Sequence, residues 1–260
     1  MPIPHIIHQT WKTDDVPEAW VESQQKWQSF CMEHGFEYRF WNDEQCRELI
    51  GDEYPNLLEM YDKLPLGIQR SHVARYAIMH ARGGIYTDMD IAPLDNSERT
   101  KLFLTTIPGE YHLTLSEELQ PNGRKYMSTS FMSSTQGHDL WKYILDELPK
   151  QKLSYWDKAW TNTFRHYDVV MRTGSHFLTK MYNQWKEGED AAFILPEQWM
   201  RPQDGQRSPF IKTVSGGPSW SDWDSSLAKM AQKAWFHRDL ILVGITLVMI
   251  LTIVLLAIFR

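Results

Sequence analysis

Apolar positions along the chain alternate between a two-residue and a 3.6-residue rhythm. Residues 3–9 read as a strand, 17–32 as a helix, 36–41 as a strand and 43–50 as a helix, which is the alternation of βαβ units. Pro17 stands where the first turn of a helix tolerates it. Over residues 66–81 the apolar positions Val73, Tyr76 and Ala77, with His80, recur at helical spacing, and His72 and Arg75, three apart, share a face. Gly83 and Gly84 supply the positive φ that ends this helix, and Ile85-Tyr86 open another strand. Pro121-Asn122-Gly123 marks a tight hairpin turn.

The pattern changes at the far end, where residues 240–259 run for 20 positions without a charge and are rich in Ile, Leu and Val. At about 1.5 Å per residue such a helix reaches ~30 Å, the thickness of a bilayer's hydrocarbon core. A single-pass C-terminal anchor is therefore expected. Lys229, Lys233, His237 and Arg238 precede it and only Arg260 follows. By the positive-inside tendency this places the preceding domain in the cytoplasm. The opening Met1-Pro2-Ile3-Pro4 has no basic region and runs straight into the first strand, so no signal peptide is expected. A lumenal Golgi placement is the alternative.

Composition narrows the class. A net charge of −6 with no basic block argues against nucleic acid as a partner. The two cysteines, Cys31 and Cys46, make no disulfide framework and read as buried thiols.

The chemistry concentrates in Gly83-Gly84-Ile85-Tyr86-Thr87-Asp88-Met89-Asp90. In an extended segment Asp88 and Asp90 would share one face while Met89 takes the other. Two hard oxygen ligands so placed can hold Mn²⁺ or Mg²⁺ with open positions for phosphate oxygens.

Taken in order, Ile3-Pro4-His5-Ile6-Ile7-His8-Gln9-Thr10-Trp11, then Gln69-Arg70-Ser71-His72-Val73-Ala74-Arg75-Tyr76, then the Asp88-Met89-Asp90 stretch resemble glycosyltransferase family 32. That family includes fungal mannosyltransferases acting on glycans and on inositol phosphorylceramide. Later segments around residues 127–138, 173–179 and 217–220 extend the resemblance. It implies an α/β fold of GT-A type, with a mixed Rossmann-like sheet flanked by helices and a nucleotide-sugar donor at the carboxyl ends of the strands. The expected organisation is a catalytic domain over residues 1–224, an amphipathic juxtamembrane segment over 225–239 and the anchor over 240–259.

Under that resemblance Asp88 and Asp90 bind the metal, and Arg75 contacts the donor sugar or its phosphates. Gln9, Thr10 and Trp11 line the base pocket, where an indole can stack on a nucleobase. Tyr86 and Thr87 flank the ribose and diphosphate, and Ser219 and Trp220 close over the diphosphate. The reaction implied is transfer of a hexose with retention, by front-face attack assisted by the leaving phosphate. Mannose from GDP-mannose is the leading donor, with a UDP-hexose as the alternative. The acceptor is a lipid or glycan near the bilayer. Three departures from the family pattern stand out. His72 replaces an acidic residue that holds donor-sugar hydroxyls, so a neutral imidazole would have to serve there. Ser221 replaces a histidine after Trp220, leaving Asp222 or Asp224, a water, or no group at all as the third metal ligand. Thr129 stands where an Asn is common. These departures keep open a catalytically altered chain that needs a membrane partner subunit.

Overall fold

In the computed structural model the described residues are 2–95, 98–119, 123–152, 162, 164–185, 192–196, 199, 211–213 and 230. Segment 240–259 and the candidates Ser219, Trp220, Ser221, Asp222 and Asp224 lie outside them. Among the described residues no helix is long and apolar enough to cross a membrane.

Strand β1 (Ile6–Thr10), helix α1 (Glu18–His34) and strand β2 (Glu37–Trp41) form the expected first unit, with β1 and β2 parallel. Pro17 caps α1, and Gly35 ends it at φ 73°. Helix α2 (Asp43–Glu53) starts at a capping box, in which the Asn42 side chain accepts from the Gln45 N–H and the Gln45 side chain accepts from the Asn42 N–H. After α3 (Pro55–Lys63) comes α4 (Gly67–Arg82), then β3 (Gly84–Thr87), which is parallel to β1. The chain continues through β4 (Ile91–Pro93), α5 (Glu98–Glu110), β5 (Leu113–Leu119), β6 (Lys125–Ser134) and α6 (Asp139–Glu147). The last described elements are α7 (Arg165–Arg172), α8 (Ser175–Trp185), β7 (Phe193–Leu195) and β8 (Ile211–Thr213).

Six strands form one sheet in the order β2-β1-β3-β6-β5-β7, and β4 pairs with β8 in a second, two-stranded sheet. Within the large sheet β6 runs antiparallel to both its neighbours, while β5 and β7 are parallel to each other. Strands β5 and β6 pair antiparallel up to Leu119 opposite Lys125, and Pro121 and Asn122 of the expected hairpin turn lie outside the described residues.

Each face of the sheet is covered by its own apolar core. Tyr86, Met132, Leu113 and Leu115 pack with α2, α4, α6 and α8 through Trp41, Tyr76, Trp141 and Phe177. Ile7, Ile85 and Phe131 pack on the other face against Trp27 and Phe30 of α1 and Phe103 of α5. Alternation along β3 thus sends Tyr86 to one layer and Ile85 to the other. Helix α4 departs from the single apolar stripe its spacing predicts. Gln69, His72, Ala74, Arg75, Ile78 and Met79 are buried along with Val73, Tyr76 and Ala77. Contacts from α2, α3, α6 and α7 surround it, so it is an interior helix carrying polar groups inward.

The glycine pair between α4 and β3 is required twice over. Gly83 and Gly84 have φ of 63° and 92°. A Cβ on Gly83 would lie 2.5 Å from the Gln136 nitrogen, and one on Gly84 would lie 2.7 Å from the Ile6 carbonyl oxygen. His8 stands beside this junction and is fully buried. Its Nδ1 accepts from the Trp41 indole at 3.1 Å, so Nε2 carries the proton donated to the Gly83 carbonyl at 2.9 Å. Both cysteines are buried free thiols, as expected.

Candidate active site

Strands β1 and β3 end side by side, with His8 opposite Tyr86 in the parallel register. Thr10 and Thr87 therefore finish at one edge of the sheet, and Trp11 and Asp88 follow them. This is the crevice where ligands bind in open α/β sheets.

Asp88 and Asp90 do not continue the strand. The Ile91 N–H donates to the Asp88 carbonyl at 3.1 Å and closes a turn over the two aspartates. The two-residue alternation expected of an extended segment therefore does not set their directions. The turn does, with Met89 buried and both carboxylates half-buried. The turn is held on both sides. The Asp88 N–H donates to the Ser130 carbonyl at 2.8 Å, and the Gln9 side-chain amide donates to the Asp88 carbonyl at 3.2 Å. At its far end the Ile91 carbonyl accepts from Ser23 Oγ at 2.6 Å and from the Trp27 indole at 2.8 Å.

Ser130 reaches the turn because β6 bulges there. The register passes from Leu115 opposite Met132 to Ser116 opposite Ser128, so Thr129, Ser130 and Phe131 have no counterpart on β5. Their carbonyls are used elsewhere. Thr129 accepts from Arg75 at 3.1 Å, Ser130 from Asp88, and Phe131 from the Ser116 hydroxyl at 3.0 Å.

Arg75 projects from the interior helix α4 into the same place, with its side chain only 7% exposed. One terminal nitrogen, NH2, lies 2.9 Å from Asp88 Oδ1, and the other, NH1, bonds the Thr129 carbonyl and hydroxyl. The guanidinium carbon lies 4.8 Å from the centre of the Tyr86 ring. Burial opposes its charge, but the carboxylates of Asp88 and Asp90 and the nearby tyrosines outweigh that, and its pKa is raised. The Tyr86 hydroxyl lies 3.0 Å from Asp88 Oδ1 and 2.9 Å from Thr10 Oγ1, with Ser71 Oγ 3.5 Å behind Thr10.

The remaining sequence candidates occupy distinct settings. Gln9 is fully buried; its amide nitrogen donates to Ser23 and to Asp88, and its oxygen accepts from Tyr38. Thr87 is fully buried beside it. Trp11 is half-buried and packs against Trp20 with ring centroids 4.6 Å apart. The Lys12 ammonium sits 5.5 Å from the Trp11 ring centre. His72 is buried on the side of α4 that meets the α7–α8 junction, with Nδ1 3.1 Å from Thr173 Oγ1. Burial, reinforced by the Arg75 charge, holds its pKa well below the usual histidine value, so it is a neutral imidazole near pH 7. Sequence reasoning did not find the supporting roles of Ser23, Trp27 and Ser130. They depend on a turn and a bulge that leave no local signature.

A family model described as the glycosyltransferase sugar-binding region containing the DXD motif matches residues 17–114, which span α1 through the Asp88–Asp90 turn into β5. Residues 17–114 thus carry the sugar-binding region of a DXD glycosyltransferase. Inositol phosphoceramide mannosyltransferase 3 of Schizosaccharomyces pombe is 32% identical over 240 residues, covering 90% of this chain and 60% of its own length. Mannosyl phosphorylinositol ceramide synthase SUR1 of Saccharomyces cerevisiae is 30% identical, covering 87% of this chain and 54% of its own. The initiation-specific alpha-1,6-mannosyltransferase of Candida albicans is 33% identical over a shorter stretch, 36% of this chain and 26% of its own. The chain thus spans about half the length of the curated relatives it matches. Among solved structures, the PaToxG glycosyltransferase superposes with a TM-score of 0.48 at 13% identity, over 72% of this chain and 71% of its own. In this chain the sheet is mixed and helix-flanked, and the Asp88–Asp90 turn follows a strand parallel to β1.

In a DXD glycosyltransferase the acidic pair is associated with a divalent cation, and the residues present suit one. Asp88 and Asp90 offer hard oxygen donors on a turn fixed by four backbone-directed bonds, while the single positive charge of Arg75 leaves the trio of side chains net negative. Among the described residues no group of three or more His, Cys, Asp or Glu could hold a metal by itself. The Asp88 and Asp90 pair itself suits Mg²⁺ or Mn²⁺, which take one or two carboxylates and complete their shell with substrate phosphates and water.

Proposed function

We propose that this chain is a metal-dependent, retaining glycosyltransferase that moves a hexose from a nucleoside diphosphate sugar to a lipid or glycan acceptor. The observation that supports this most is the ion pair between buried Arg75 and half-buried Asp88, placed with Asp90 where β1 and β3 end together. Mannose is the favoured sugar, with GDP-mannose as its proposed donor, and an inositol phosphoceramide is the favoured acceptor, because mannosyl transfer and that lipid name relatives that cover most of this chain. Anchoring through residues 240–259 would keep the site beside such a lipid.

In this reading Asp90 and Asp88 hold the cation, and Trp11, at the end of β1, receives the base. Arg75 faces the diphosphate, where a fixed buried charge stabilises negative charge as it develops without reorganising. A bound divalent cation would neutralise the diphosphate further. The bond from the sugar's anomeric carbon to the phosphate oxygen breaks on the face at which the acceptor oxygen attaches. The departing phosphate takes the acceptor's proton, which preserves configuration without a protein nucleophile. His72 favours a second reading. Where the resemblance implies a carboxylate for donor-sugar hydroxyls, the chain has a neutral imidazole already engaged with Thr173. A chain altered in this way would bind donor yet need a partner subunit for turnover.

Thermal shift of the detergent-solubilised protein tests these readings, using GDP, UDP, GDP-mannose and UDP-glucose with and without Mn²⁺, followed by a transfer assay on inositol phosphoceramide. A Mn²⁺-dependent rise in Tm with guanine nucleotides, together with mannosyl transfer, supports the first reading. Binding without turnover supports the second, a shift with uridine nucleotides alone replaces the donor, and no shift with any ligand removes both.

A further inference from the structure

The hydroxyls of Thr10 and Tyr86 were expected beside the donor, but the fold gives them another use. Tyr86 is fully buried, and its hydroxyl lies between Thr10 Oγ1 at 2.9 Å and Asp88 Oδ1 at 3.0 Å. A carboxylate can only accept, so the Tyr86 O–H donates to Asp88. The tyrosine oxygen is then left to accept, and the Thr10 O–H donates to it. The direction of every hydrogen bond in this chain is therefore set from its acidic end. Arg75 NH2 reaches the same Asp88 oxygen at 2.9 Å. With two donors converging on Oδ1, the carboxylate cannot turn about its bond without breaking both.

We infer that Tyr86 and Thr10 are positioning residues, a buried hydroxyl relay that fixes the orientation of the Asp88 carboxylate toward a divalent cation. The inference rests on the metal reading above and deepens it. Tyr86 acts directly on Asp88, and Thr10 acts only through Tyr86. Orienting partners behind a metal ligand commonly change affinity by roughly 10–100-fold when removed. The tyrosine ring has a separate duty beneath the Arg75 guanidinium, 4.8 Å from its centre, which phenylalanine would keep.

The test is a double-mutant cycle on the full chain in detergent with Tyr86→Phe, Thr10→Val and the pair. Mn²⁺ binding is read from the paramagnetic resonance signal of the free ion, with and without GDP. Melting temperature is followed in parallel. Tyr86→Phe is expected to weaken Mn²⁺ binding by roughly 10-fold while the protein stays folded. Thr10→Val should weaken it by a smaller factor, Thr10→Ser should restore it, and Thr10→Val should add nothing in the Tyr86→Phe background. A purely structural role would lower the melting temperature and leave the Mn²⁺ affinity of the folded protein unchanged, which overturns the inference. A Thr10→Val effect that persists undiminished in the Tyr86→Phe background also overturns it, because Thr10 would then touch the ligand itself. If the unsubstituted protein binds no Mn²⁺ with or without nucleotide, the metal reading falls and takes this inference with it. Binding by the unsubstituted protein with equal affinity in every variant removes the inference alone.

Discussion

Arg75 and Asp90 have opposite standing in the candidate site. Arg75 meets Asp88 at 2.9 Å and also feels Asp90, so two carboxylates share one positive charge and a cation would neutralise the remainder. Asp90→Asn is therefore expected to abolish transfer while the melting temperature of the metal-free protein stays the same or rises slightly; wild-type turnover by this variant would remove the metal assignment. Arg75→Lys keeps a positive charge but loses the planar fork that reaches Asp88 and Thr129 together. A fall in kcat of roughly 100-fold is expected, measured at saturating donor. Both residues were legible in the sequence as candidates. Their mutual contact was not, because Arg75 and Asp88 lie on different elements and meet only when α4 packs on β3. The same holds for Gln9. Its place at the end of β1 was readable, but its amide is spent on Ser23, Tyr38 and the Asp88 carbonyl.

Elements with local punctuation were the readable ones. The Asn42 cap, the glycine pair and the alternation of β1 and β2 each act within a few residues, and β1, α1, β2, α2, α4 and β3 lie close to their expected places, while α3 had no expectation and the Asp88–Asp90 segment turns instead of extending. Helix α4 was readable as a helix but not as an interior one, since burial on every side depends on what the rest of the chain brings to it. The bulge in β6 could not be read at all, because the groups that use its Ser130 and Thr129 carbonyls, the Asp88 N–H and Arg75, come from other elements. At this scale Gly83→Ala is the sharpest probe. The added methyl meets the Gln136 backbone at 2.5 Å and the residue must hold φ at 63°. A loss of more than about 1 kcal/mol is expected by urea unfolding. Asn42→Ala, which removes the α2 cap and an exposed hydrogen bond to Asp14, should cost about 1 kcal/mol and leave any donor binding intact.

For the molecule as a whole, buried neutral histidines tie stability to pH. Burial lowers the His8 pKa to about 3, with smaller contributions from Arg39 and Arg82 working alongside the opposing Gly83 hydrogen bond. Unfolded, His8 binds a proton near its ordinary value of about 6.5, so below that pH the unfolded chain binds more protons than the folded one. Stability is full above the unfolded value and falls as pH drops, levelling off only below about 3. Between pH 7 and 5 the His8 share is about 2 kcal/mol, and His72 acts in the same direction. Urea midpoints at the two pH values measure this loss, and His8→Gln should shrink it.

The place of β6 in the sheet also bears on how the protein is made. Thr87 and Tyr86 of β3 wait for Phe131 and Met132 of β6, which are synthesised later, after α5 and β5. At roughly 5–20 residues per second that interval lasts a few seconds. During it the nascent chain on the ribosome carries an unzipped strand edge beside two aspartates, charges of the kind that oppose intermolecular strand pairing.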